Sequence, residues 1–330
     1  MMKKIINDPD LVVQDMLKGL VAAYPSSFKL VPNTTVIVRK DAPVTGKVGL
    51  VSGGGSGHEP AHAGYVGEGM LDAAVCGEVF TSPTPDQIFE AIKAVDGGAG
   101  VFLVIKNYTG DVMNFEMAAE LAQAEGIEVE HVIVNDDVAV EDSSFTTGRR
   151  GIAGTIFVHK MAGAKAQSGG SLQEVKTVAE KVVANVRSMG MALSPCTVPA
   201  AGKPSFELAE NEMEVGMGIH GEPGTERKAI ATADEIATEL TQKVLDDMNL
   251  SSGDEVAVMI NGLGSTPEME LYIVNGKVNE ILNEKGIQIY QTFVGEYMTS
   301  LEMAGCSVTL LKLDEELKEL LDAESKSPAF

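Results

Sequence analysis

The stretch VGLVSGGGSGHE, residues 48–59, decides how this chain is read. It opens as a short apolar run, Val48–Ser52, then breaks into glycine-rich sequence that ends on an imidazole and a carboxylate, His58 and Glu59. A short apolar run stopped by glycines reads as a buried strand. Runs of the same kind stand at Thr35–Arg39, Ala73–Cys76, Val101–Ile105 and Val129–Val134. Helical patterns follow or separate them. One starts near Pro85 and carries Ile88, Ile92 and Val95 on one face; another runs from Asp111 to about Ala124. Strands alternating with helices predict an α/β layered domain with a largely parallel sheet.

Further on, Ser171 and Glu174 form a capping box. It predicts a helix with Val175, Val178, Val182 and Val186 on its apolar stripe and an end at Gly190. Strand-like runs follow at Met191–Val198, Val215–Ile219, Glu255–Ile260, Ile287–Val294 and Val308–Leu313. Helical stretches cover Thr232–Leu250, opened by a second capping box of Thr232 and Glu235, and Pro267–Glu284. The acidic stretch Asp314–Glu324 reads as a solvated terminal helix. The change of pattern near residues 184–190 predicts two α/β domains, each a layered sheet with flanking helices, over residues 1–185 and 186–330. Roughly 150 residues per domain agrees with that division.

The net charge of -23 argues against nucleic acid, whose affinity comes from Lys and Arg neutralising phosphates, and against an anionic membrane surface. Cys76, Cys196 and Cys306 are odd in number, far apart and outside any CxxC pair, so neither a disulfide framework nor a zinc site is expected. No signal-like apolar core opens the chain, and no run reaches the roughly 18 apolar residues of a membrane helix. A cytoplasmic protein is expected.

The chemistry-bearing segments sit beside the strand-like runs. Gly53–Gly57 lets backbone approach a ligand closely. It lacks the Lys-Ser/Thr of a P-loop, and His58 stands where a dinucleotide fingerprint needs its last glycine. A polar small-molecule site ending in a usable imidazole fits the spacing; a glycine-rich turn without a ligand is the plainer alternative. Lys106-Asn107-Tyr108-Thr109-Gly110-Asp111 follows the run Val101–Ile105, where open α/β sheets place ligands. Lys106 could donate to a carbonyl or hydroxyl. Asp111 could accept a proton or simply cap the next helix. His220 stands in a Gly/Pro loop after Val215–Ile219, where an imidazole can act as base or nucleophile. His62 follows His58 by one helical turn, so one helical face could present both, though no third zinc ligand is in view. His131 and His159 read as satisfied core or rim residues. Gly148-Arg149-Arg150-Gly151 could bind phosphate or pair with the chain's carboxylates, with nothing to choose between them.

Taken together, Ser52–His62, Lys106–Asp111, Gly148–Gly151 and Gly218-Ile219-His220-Gly221-Glu222-Pro223-Gly224 resemble the K subunits of dihydroxyacetone kinases. So do Asn261–Gly264 and Tyr297–Gly305, and the resemblance runs in order along essentially the whole chain. It implies a protein that holds dihydroxyacetone as a covalent hemiaminal on His220. It implies that the loop carrying Gly55 and His58 lines the substrate pocket, that Lys106 and Asp111 hydrogen-bond the triose, and that Asp111 with His58 assists deprotonation of the attacking hydroxyl. Single-chain relatives carry an added nucleotide-binding domain. The resemblance here implies the phosphotransferase-system arrangement: a homodimer that binds neither nucleotide nor metal itself, an L subunit holding ADP and Mg²⁺, and an M subunit that recharges it from phosphoenolpyruvate. A dihydroxyacetone-sensing coactivator of a transcriptional regulator is the alternative within the same fold.

Overall fold

β-Branched residues dominate the strands Val36–Arg39 and Val129–Val134 because they pack well on a pleated surface. The computed structural model describes residues 3–141, 148–222 and 224–330. Its first sheet runs β1 (Phe28–Leu30), β2 (Val36–Arg39), β4 (Ala73–Val79), β3 (Gly49–Ser56), β5 (Val101–Lys106), β6 (Val129–Val134). The strands β4, β3, β5 and β6 are parallel, and the hairpin β1–β2 adds an antiparallel edge. The expected parallel sheet is present, and β3 continues through the glycines that the sequence reading placed in a loop.

The second sheet runs β11 (Gln288–Gly295), β10 (Glu255–Gly262), β12 (Gly305–Leu313), β7 (Val186–Ala192), β8 (Glu212–Val215), β9 (Glu226–Ala229). Only β10 and β11 are parallel; the other neighbours are antiparallel.

Helices α2 (Pro85–Val95) and α3 (Thr109–Ala124) cover the outer face of the first sheet. Helices α6 (Ala233–Asp246) and α7 (Glu268–Glu284) cover the outer face of the second. Between the sheets lie α4 (Thr155–Gln167), α5 (Leu172–Asn185) and α8 (Glu315–Asp322), with α1 (Val12–Ala23) against the first sheet. One core therefore runs from Leu50 and Phe102 of the first sheet through Phe157 and Val182 to Met259 and Leu311 of the second. The two sheets share a helical layer, which ties them mechanically. Burying one such large apolar side chain stabilises by about 1.5–3 kcal/mol.

Several elements differ from expectation for identifiable reasons. Helix α5 stops at Asn185, not Gly190, because the Arg187 guanidinium takes the carbonyls of Val183, Ala184 and Val186 and the chain leaves as β7. The strand expected at Met191–Val198 accordingly begins earlier, as Val186–Ala192. The strand expected at Val215–Ile219 ends at Val215, since Gly216 takes φ +75° and turns the chain out of the sheet. No helix follows His58; the chain turns there and makes only a short 3₁₀ turn at Ala63–Tyr65, so His58 and His62 do not share a helical face. Helix α8 exists, capped by Asp314, but buries Leu317, Leu320 and Leu321 instead of standing in solvent.

Candidate active site

The site forms where the C-terminal ends of β3 and β5 meet the loop after β8. Strand β3 is glycine-rich because its backbone is crowded. A Cβ on Gly54, at φ +151°, would collide with Lys106 Nζ, and one on Gly55 would meet the backbone of Phe80 and Thr81. Glycine here therefore admits an ammonium against the strand. Lys106, the last residue of β5, is fully buried; its Nζ lies 3.3 Å from Asp111 Oδ2 and 3.4 Å from the Gly53 carbonyl oxygen. Asp111 sits in the first turn of α3, whose N-cap is Tyr108, so its carboxylate faces the lysine and does not cap the helix.

His58 follows the strand and is buried. Its Nδ1 lies 2.8 Å from the Thr299 carbonyl oxygen, which can only accept, so Nδ1 carries the proton and Nε2 the lone pair. Among the described residues, Nε2 has no hydrogen-bond partner. Burial, then the nearby His220 and Lys106, holds the ring well below its ordinary pKa, so it stays neutral.

His220 completes the group from the other sheet, with its side chain 13% exposed. Its ring stands edge-on to three others: Tyr108 at 4.4 Å, His58 at 4.8 Å and Phe80 at 5.4 Å between centroids. Phe80 also stacks on His58 at 5.1 Å. The His220 main-chain N–H donates to Glu222 Oε2 at 2.8 Å, and its Nδ1 lies 3.8 Å from Glu222 Oε1. Burial raises the Glu222 carboxyl, but His220 and Arg150 outweigh it and hold the group below its usual value. Thus Gly55, His58, Lys106, Asp111 and His220, singled out in the sequence, converge. Phe80, Tyr108, Glu222 and Thr299 were not singled out; the signal for Tyr108 and Glu222 was their place inside the motifs of Lys106 and His220.

The remaining candidates lie elsewhere or pair off. Arg149 makes two bonds to Asp247, at 2.6 and 2.7 Å, and one to Glu141 at 2.9 Å. Arg150 is buried against Asp137, at 2.7 Å, and donates to the Gly216 carbonyl oxygen. Carboxylates are thus the observed partners of this arginine pair. His62 Nδ1 and His159 Nε2 lie 3.0 Å apart in the core, and burial pushes His159 down to about 3. Burial likewise pushes the Cys76 and Cys306 thiols up to about 12. Among the described residues no group of three or more His, Cys, Asp or Glu could hold a metal, and no helix is long and apolar enough to cross a membrane. An apolar cavity lined by Met191, Ile236, Leu271 and Val274, between the second sheet and α6–α7, includes Glu270 and Cys306 but none of the candidate site residues.

Fold and site define a two-sheet α/β protein in which a loop histidine meets a buried neutral imidazole, an ammonium and a carboxylate. The chain belongs to the Dak1 domain family, whose pattern matches residues 18–329. It is 59% identical to the "PTS-dependent dihydroxyacetone kinase 1, dihydroxyacetone-binding subunit DhaK" of Listeria innocua serovar 6a, covering 96% of this chain and 95% of that one. Among solved structures it resembles the "Dihydroxyacetone kinase operon co-activator Dha-DhaQ" with a TM-score of 0.90 at 38% identity, over 96% of this chain and 97% of that one. It also matches the dihydroxyacetone kinase of C. freundii in complex with AMP-PNP and Mg²⁺, with a TM-score of 0.92 at 36% identity, over 99% of this chain but 60% of that longer one.

Proposed function

We propose that this chain is the dihydroxyacetone-binding subunit of a multi-component dihydroxyacetone kinase and that His220 holds the ketone covalently. The observation that carries the reading is the meeting of His220 with the buried neutral His58, its ring 4.8 Å away, beside the Lys106–Asp111 pair. A ring nitrogen of His220 adds to the ketone carbon, the π pair moves to oxygen, and the oxygen gains a proton as the ring loses one. Glycerol has no carbonyl to attack, so bond formation separates ketone from polyol where hydrogen bonding alone discriminates weakly. The adduct fixes a terminal hydroxyl. Lys106 and Asp111 hydrogen-bond the triose, and His58 Nε2 or Asp111 takes the hydroxyl proton as phosphorus is attacked. Positioning of this kind is what phosphoryl transfer chiefly requires.

The phosphoryl group comes in this reading from a separate ADP- and Mg²⁺-holding L subunit, recharged from phosphoenolpyruvate through an M subunit. The chain itself binds no nucleotide or metal and works as a cytoplasmic homodimer. The Listeria innocua relative, named a dihydroxyacetone-binding subunit of a PTS-dependent kinase and matched over 95% of its length, supports a donor on a different polypeptide. The similarity to a co-activator favours a second reading, a sensor of the same ligand. The two part in one experiment: the chain is mixed with an ADP-loaded L subunit, a recharging system and dihydroxyacetone. Formation of dihydroxyacetone phosphate that depends on this chain is expected; ligand binding without turnover would favour the sensor.

A further inference from the structure

Three buried polar atoms beside His220 have no hydrogen-bond partner among the described residues: Glu222 Oε1, Arg150 Nη1 and the Tyr108 hydroxyl. Buried polar groups are almost always paired, so three together demand a reason. They belong to one cluster. Glu222 Oε1 lies 3.8 Å from Arg150 Nη1 and 3.8 Å from His220 Nδ1. The Tyr108 ring stands 4.4 Å from the His220 ring and perpendicular to it. The carboxylate is not free to leave. Its other oxygen accepts the His220 main-chain N–H, and its atoms occupy the space a Cβ on Gly218 would need. Arg150 in turn is anchored on its far side by Asp137 and the Gly216 carbonyl oxygen.

We infer that Glu222, backed by Arg150 and closed off by Tyr108, is a positioning residue that orients the His220 ring and bears the charge that develops on it during adduct formation. The inference rests on the proposed covalent role of His220. A carboxylate facing Nδ1 selects the tautomer with its proton there, so Nε2 keeps the lone pair and becomes the attacking atom. As the Nε2–C bond forms and the C=O π pair moves to oxygen, the ring becomes positive opposite Glu222. The alkoxide then takes a proton from solvent, and Nδ1 releases its own to solvent along Glu222. The net change is addition of N–H across C=O, with nothing else consumed. The 3.8 Å gaps are just beyond hydrogen bonding, so a small ring rotation or one bridging water completes the cluster. Against burial, His220 and then Arg150 hold the Glu222 carboxyl below its usual value, and the Asp137 carboxylate compensates Arg150, so the cluster presents a negative charge to His220. His58 also faces this ring, from the opposite sheet.

The test begins with the substrate-free full chain carrying ¹⁵N-histidine. Long-range ¹⁵N–¹H spectra, assigned with His220→Gln, report the tautomer without any need for substrate. The expected result is Nδ1–H in the wild type and a mixture in Glu222→Gln. With ¹³C-labelled dihydroxyacetone, Glu222→Gln should raise the concentration needed for half-maximal adduct by at least about tenfold, since misorienting a catalytic imidazole by a carboxylate-to-amide change can cost far more. Glu222→Asp should recover part of it. An Nε2–H tautomer in the wild type would overturn the inference, even if Glu222→Gln fails to fold. So would a folded Glu222→Gln with unchanged tautomer and adduct affinity. Absence of any adduct in the wild type with the Nδ1–H tautomer present would overturn the covalent reading, and the role in adduct formation with it, leaving Glu222 as an orienting group only.

Discussion

Lys106→Met removes the ammonium at the end of β5 while keeping most of the side chain's volume, and leaves Asp111 stranded. Both side chains are buried and Nζ lies 3.3 Å from Oδ2. At an effective dielectric of about 20, unit charges at that separation attract by about 5 kcal/mol. Met needs no desolvation, which offsets part of this. Breaking one side of a buried pair nonetheless costs about 3–5 kcal/mol, because the remaining charge has lost its partner. The expected loss for Lys106→Met lies in that range. Asp111→Asn in the same chain removes the stranded charge, so the double variant should be more stable than Lys106→Met alone. Urea unfolding of wild type, both single variants and the double variant reads the coupling directly; contacting pairs usually give about 0.5–3 kcal/mol, and this pair should stand at the upper end. A loss under about 1 kcal/mol for Lys106→Met, or strictly additive variants, would refute the reasoning by showing that the pair is solvated or apart.

Other expectations are equally direct. Asp111→Asn should retain labelled adduct while turnover with the L subunit falls by about 10²–10⁴, the usual span for a lost general base; near-normal turnover would leave proton removal to His58 alone. Gly54→Ala should destabilise by about 1–3 kcal/mol and abolish the thermal stabilisation given by dihydroxyacetone, because its Cβ meets Lys106 Nζ on backbone at φ +151°. Asp247 is held down to about 2, chiefly by its hydrogen bond with Arg149 and then by Arg187. Its folded pKa lies below its unfolded one, so this contribution to stability is full above the ordinary Asp value and fades as pH falls towards about 2. Asp247→Asn should therefore flatten the acid limb of the stability profile; an unchanged limb would contradict it.

The sequence made legible those elements whose hydrophobic period is unmixed. Helices α2, α6 and α7 each face a sheet on one side and water on the other, so their stripes are visible. Helix α4 was missed because it lies between two sheets and is buried almost all round, leaving no polar face to give a period. The boundary between α5 and β7 was misplaced because it depends on the Arg187 side chain reaching back to carbonyls, which no spacing encodes. At the site, motif content marked Gly55, His58, Lys106, Asp111 and His220, but only as separate segments. Phe80 was invisible because nothing around it is chemical; its importance comes from packing on His58 and His220 at once. The partners of Arg149 and Arg150 were undecidable from charge alone, since the carboxylates that take them, Asp247 and Asp137, reach them only in the fold.

The central claim is a covalent bond between His220 and a ketone. Carbon-13 NMR of dihydroxyacetone labelled at its central carbon, bound to the purified chain, tests it most directly. The label should leave the ketone region and appear as a protein-bound tetrahedral carbon, and His220→Ala should return it to the free ketone spectrum. A bound ligand whose ketone signal is intact in the wild type, or a tetrahedral carbon that survives His220→Ala, would contradict the claim.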